Sequence, residues 1–194
     1  MGHSQWTMSV SLSPLQFQDA HLLTQVRDCL DRYRLPARQL LLQVTETTVM
    51  RDTRTSISLL NSLSALGVGI AIDDFGTGYS SLLYLKQLPA SELKIGNSFT
   101  QDLKPGSNEV TIVSAVVALG HGLDMDVVAE GITTREQRIR LEGMGCDFLQ
   151  GHLIGMAVAP ARFEQLHAPR PLAVRDVPAD GLPSAIARQP PGAS

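Results

Sequence analysis

Two aspartates stand side by side at positions 73 and 74, between the apolar run Val68 to Ile72 and the glycine-bracketed stretch Phe75-Gly76-Thr77-Gly78-Tyr79. Paired carboxylates at the end of a strand can hold a hard divalent cation, which wants several oxygen ligands. Neighbouring side chains on a strand point to opposite sides. Both acids therefore reach one cation only if the strand stops there, with Gly76 and Gly78 supplying the backbone freedom. The same residues also suit an ordinary polar turn after a buried strand. Polar residues fall at the ends of the other strand-like stretches as well: Ser11, Gln43, Lys94, Glu130 and Gln150.

Composition narrows the chemistry. Of 194 residues, 43% are hydrophobic and 18% charged, which is globular and large enough for one domain with a core. A net charge of −3 gives no electrostatic case for long nucleic acid. Cys29 and Cys146 lie in separate elements without metal spacing, as in a reducing cytoplasm, the expected location. His3, His21, His121, His152 and His167 form no zinc-type pair. No apolar run reaches the roughly 18 residues of a membrane span, and residues 1–8 lack the pattern of a signal peptide.

The elements that must position these groups alternate. Met8 to Leu12 reads as a strand stopped at Ser13-Pro14, followed by a helix over 19–33 with Leu22, Val26, Leu30 and Tyr33 on one face. Leu40 to Val44 is a buried-type strand running into Thr45-Glu46, and a helix over 53–66 carries Ile57, Leu60 and Leu63 before a C′ glycine, Gly67. After the Asp73-Asp74 strand come a short helix over 80–87, a strand over 92–95, a helix over 109–119 and a strand over 126–130. Thr134 and Gln137 form a capping box for a helix to Met144; a strand over 146–150 and a short helix over 160–166 follow. From His167 onward, six of the chain's eleven prolines accumulate, and a disordered tail over 167–194 is expected.

Strand and helix repeated about six times argue for a parallel sheet. Ser11 and Gln150 lie 139 positions apart over five repeats, about 28 each, near the roughly 31 per unit of a (β/α)₈ barrel. In a barrel every strand end converges on one mouth; a doubly wound sheet is the alternative and would not place them all together.

Asp-Asp-Phe-Gly-Thr-Gly-Tyr-Ser-Ser-Leu over 73–82, Leu93-Lys94-Ile95, Val128-Ala129-Glu130-Gly131-Ile132, Gly145-Cys146-Asp147 and Gln150-Gly151 together resemble the EAL domain. That family hydrolyses cyclic di-GMP to linear pGpG. The resemblance covers residues 8–166, after an extension over 1–7. It implies a TIM-like barrel and two-metal phosphodiester hydrolysis with Mg²⁺ or Mn²⁺. It also implies that Asp73, Asp74 and Glu130 are metal ligands and that Lys94 orients or deprotonates the attacking water. Gln150 resembles the glutamine that contacts metal-bound water. Glu46 resembles the glutamate that holds the 76–80 loop.

The sequence departs from the family pattern at several places. The Glu-Ala-Leu strand and a phosphate-gripping arginine would precede the first residue, leaving about six of eight barrel strands. Ser11 stands where the family has a metal-binding asparagine, Gln43 where it has a metal-binding glutamate, Gly96 where it has an aspartate and Thr133 where it has a second glutamate. The resemblance therefore implies a degenerate domain with lost or severely weakened hydrolysis, acting as a regulatory or binding module with weak affinity for cyclic di-GMP. A Mg²⁺- or Mn²⁺-dependent phosphodiesterase with residual activity within a longer chain, and a non-functional remnant, stay open beside it. The Met8–Leu12 strand would be an exposed edge, so self-association or a signalling-protein partner is expected.

Overall fold

In the computed structural model the described residues are 6–76, 82–101, 103–104 and 106–167. Alternating β-branched and leucine-rich runs form six strands: β1 (Met8–Ser11), β2 (Leu40–Thr45), β3 (Gly69–Phe75), β4 (Glu92–Ile95), β5 (Asp126–Ala129) and β6 (Phe148–Leu149). They pair in sequence order and every pair is parallel. The order never reverses, so there is no switch point of a doubly wound sheet. The architecture is an incomplete TIM-like barrel.

The connections are α1 (Pro14–Phe17), α2 (Leu22–Tyr33), α3 (Glu46–Arg51), α4 (Thr53–Ser64), α5 (Leu82–Leu85), α6 (Asn97–Thr100), α7 (Asn108–Gly122) and α8 (Arg135–Gly143). These belong to a compact unit that ends at Met156; α9 (Pro160–His167) belongs to a second unit. The expected 167–194 tail lies outside the described residues apart from His167, as do Ser80 and Ser81.

The pleat sorts side chains between two faces. Leu42, Val44, Ile70, Ile72, Leu93, Ile95, Val127 and Ala129 face the helices and share one core with Leu60, Leu63, Val113 and Leu141. Each fully buried leucine, isoleucine or valine among them contributes about 1.5–3 kcal/mol. The alternate residues, Ser11, Gln43, Ala71, Lys94 and Val128, line the other face, the inside of the barrel.

Several expectations are corrected. Tyr33 is 66% exposed, and only Leu22, Val26 and Leu30 of its proposed face are buried. Arg34 at the C-cap turns left-handed there (φ 52°), which ends the helical stripe. Ser13-Pro14 does more than stop a strand: Ser13 caps α1 in a reciprocal box with Gln16. Thr45 likewise caps α3, which periodicity misses because it lasts only six residues. The long helix α7 continues through Gly120, where a Cβ would come within 2.4 Å of Val127 Cγ2, so glycine permits close helix–strand contact.

Candidate functional site

The site lies at the C-terminal ends of β3, β4 and β5. The strand was expected to end at its two acids; it runs through Asp73 and Asp74 and one residue further, to Phe75. What brings both carboxylates to one side is a bulge. Ile72 pairs with Leu93 and Phe75 with Ile95, so β3 takes three steps while β4 takes two. The extra residue re-aims a side chain. Asp74 accommodates it with φ 53°, in the left-handed region that aspartate tolerates better than most residues. Its N–H donates to Asp73 Oδ1 at 2.9 Å.

Glu46 secures the next residue. Its side chain is 1% exposed, and Oε2 accepts the Gly76 N–H at 2.7 Å. Oε1 has no partner among the described residues. Gly76 adopts φ +94°, and the Phe99 ring would lie 3.0 Å from a Cβ placed there, so this turn requires glycine.

Lys94 is 2% exposed and forms an ion pair with Glu130, which follows β5. A buried ammonium needs such a partner, because desolvating it alone costs several kcal/mol. Two residues upstream on the same face of β4, Glu92 stands directly opposite Asp126. Burial raises the Glu92 pKa; Lys94 lowers it and Asp126 raises it further.

Asp73, Asp74 and Glu130 each present a carboxylate oxygen, and these lie within 4.8 Å of one another. Three anionic oxygens in that space suit a hard divalent cation, whereas Lys94 offsets only one of the charges. Burial and the neighbouring Asp147 push the Cys146 thiol up to about 11, which disfavours its reactive thiolate.

The remaining sequence-predicted positions divide. Ser11 and Gln43 are register partners, and the Ser11 hydroxyl donates to Gln43 Oε1 at 2.8 Å. Gly96 precedes α6 as its N-cap. The Thr133 hydroxyl donates to Gln137 Oε1 at 3.1 Å. The backbone of Gln150 is pinned at the β5 rim, its N–H donating to Ala129 O and its carbonyl accepting from Ile132 N; the side chain is exposed. Two residues that bear on the site escaped sequence reasoning. Thr100 donates its hydroxyl to the Glu130 carbonyl at 2.6 Å, with no sequence signal for it. Gln137 carried a signal only for local helix capping.

Comparison with known proteins identifies the family. Residues 2–157 match the EAL domain. The chain is 53% identical over 167 residues to the bifunctional diguanylate cyclase/cyclic di-GMP phosphodiesterase MucR of Pseudomonas aeruginosa, covering 86% of this chain and 24% of that protein. It is 37% identical over 164 residues to the cyclic di-GMP phosphodiesterase NbdA of the same organism, covering 84% and 21%. It thus spans about a fifth to a quarter of the length of these curated relatives. Among solved structures, a PaMucR phosphodiesterase complex with c-di-GMP matches with a TM-score of 0.80 at 51% identity, covering 81% of this chain and 70% of that one. The FimX EAL domain from Pseudomonas aeruginosa bound to c-di-GMP matches with a TM-score of 0.70 at 26% identity, covering 75% and 60%. The chain belongs to the EAL domain family.

Proposed function

We propose that this chain is a degenerate EAL module of cyclic di-GMP signalling, in which hydrolysis to pGpG is lost or severely weakened and weak ligand binding remains. The Ser11–Gln43 hydrogen bond carries this reading. By resemblance, those positions belong to an asparagine and a glutamate that hold metal. Here they offer a hydroxyl and an amide without charge, and Gln43 Oε1 already accepts the Ser11 proton. Removing an anionic ligand from a metal's own shell, and replacing a neutral one by a shorter side chain, should cost at least the roughly 10–100-fold seen when its outer partners are lost.

Asp73, Asp74 and Glu130 still fit one Mg²⁺ or Mn²⁺ ion by the closeness of their oxygens. Such an ion would supply Lewis-acid polarisation of a phosphoryl oxygen. Lys94 is shielded and engaged by Glu130, so its ammonium orients that carboxylate. Glu46 holds the turn after the two aspartates in place.

A second reading, residual phosphodiesterase activity within a longer chain, is favoured by that same carboxylate cluster. The exposed, uncharged edge strand β1, with Met8 67% and Val10 41% exposed, supports self-association or a protein partner. Calorimetric titration with cyclic di-GMP in Ca²⁺, paired with chromatographic detection of pGpG in Mg²⁺ or Mn²⁺, tests the proposal. Saturable weak binding without pGpG is expected. Divalent-dependent pGpG release establishes the second reading instead, and absence of binding by folded protein overturns both.

A further inference from the structure

Glu130 emerges from β5 into an irregular segment, and the position of its carboxylate depends on what holds that backbone. The Glu130 N–H donates to Ile95 O at 3.2 Å, and the Glu130 carbonyl accepts the Thr100 hydroxyl at 2.6 Å. Thr100 is fully buried at the end of α6, the short helix that leaves the strand carrying Lys94. The chain from Lys94 through Gly96 and α6 therefore returns to Glu130, and the Lys94–Glu130 ion pair closes the ring.

Gln137 ties this ring to the next element. It is 8% exposed, and Oε1 accepts from Thr133 N at 2.8 Å, Thr134 N at 2.9 Å and the Thr133 hydroxyl at 3.1 Å. Nε2 donates to Thr100 O at 3.0 Å. One side chain thus spans α8, the 131–134 turn and α6. Gly131, at φ +73°, sits so close to Asn97 that a Cβ would meet Asn97 Oδ1 at 1.9 Å. The segment between Glu130 and α8 is thereby pressed against α6 and fastened at both ends.

We infer that Thr100 and Gln137 are positioning residues that set the Glu130 carboxylate against Lys94 and the paired aspartates. This deepens the proposed function, since it rests on the Asp73–Asp74–Glu130 cluster being the working site. A merely local role for Gln137 is helix capping, for which glutamate serves as well as glutamine. Gln137→Glu keeps the Oε1 acceptor of the cap and removes the Nε2 donor to Thr100 O. Thr100→Val keeps the buried volume and removes the hydroxyl that holds Glu130 O. Thr100→Ser keeps the hydroxyl and is the rescue.

Two readouts separate the possibilities in the folded protein. In metal-free protein, the NMR shifts of the Glu130 carboxyl carbon and the Lys94 ammonium nitrogen report the ion pair directly. Mn²⁺ binding, followed by electron paramagnetic resonance, reports the cluster. Both Gln137→Glu and Thr100→Val are expected to move the two shifts and weaken Mn²⁺ binding about tenfold, in the range for partners one step behind the ligands; Thr100→Ser should match wild type. Unmoved shifts in both variants, whatever their melting temperature, overturn the inference. If wild-type protein binds no Mn²⁺, the cation reading of the cluster fails, while the shifts still decide whether Thr100 and Gln137 position Glu130.

Discussion

Glu130→Gln isolates the consequence of burying Lys94. The substitution keeps the shape of the side chain and removes its charge, leaving the ammonium with no direct anionic partner. Breaking a buried ion pair from one side costs about 3–5 kcal/mol. Two features here reduce that: the Glu130 side chain is 18% exposed against 3% for Lys94, and Glu92 supplies a second negative charge that Lys94 feels. We therefore expect a loss of about 2–3 kcal/mol, scaled down from the buried-pair range. For a chain of this size, that lowers the melting temperature by about 4–12 °C, at about 2–4 °C per kcal/mol. Urea denaturation followed by circular dichroism, at fixed protein concentration, measures it. Adding Lys94→Met should return stability to within about 1 kcal/mol of wild type, because a packed apolar side chain replaces a buried pair at little cost. The reasoning fails if Glu130→Gln alone is as stable as wild type, or if the double variant is no more stable than Glu130→Gln.

Three further outcomes follow from the same geometry. Ser11→Asn with Gln43→Glu should raise the calorimetric stoichiometry for Mn²⁺ from one to two; a value that stays at one means the neutral pair does not limit metal binding. Glu92 has a raised folded pKa, so the folded state holds its proton more tightly than the unfolded chain does. That preference favours folding in acid and is lost as pH rises through the folded value. Glu92→Gln should therefore raise the melting temperature at pH 7 and lose its advantage below the ordinary glutamate range; a pH-independent difference would contradict this. Val10→Lys places a charge on the exposed edge strand and should suppress concentration-dependent association in size-exclusion chromatography with light scattering. A monomeric wild type, or an unchanged oligomer in the variant, would show that β1 is not the contact.

The succession of strands and helices, and the polar residues near the strand ends, were legible because both are local. A β-strand announces itself by period, and a run of strand-helix repeats admits few topologies. Asp73 and Glu130 could be named because each follows an apolar run, and Lys94 because it is a lone charge inside a short apolar strand. The short helices α1, α3 and α6 were missed, since four to six residues carry too little periodicity to stand out. The local capping reading of Gln137 was correct but incomplete, because a capping box says nothing about where the amide nitrogen points.

By itself, the sequence determined the parallel strand-helix succession and the polar residues that lie at or near the strand ends, because both follow from residue type and spacing. Only the tertiary structure decided that β3 runs through its acids and bulges to turn both carboxylates to one side. It likewise decided that Ser11 and Gln43 bond to each other, that Lys94 pairs with Glu130, and that Thr100 reaches back across 30 residues to hold Glu130. Those outcomes depend on inter-strand register and on how far each connecting helix carries the chain, and neither quantity is encoded by any one segment alone.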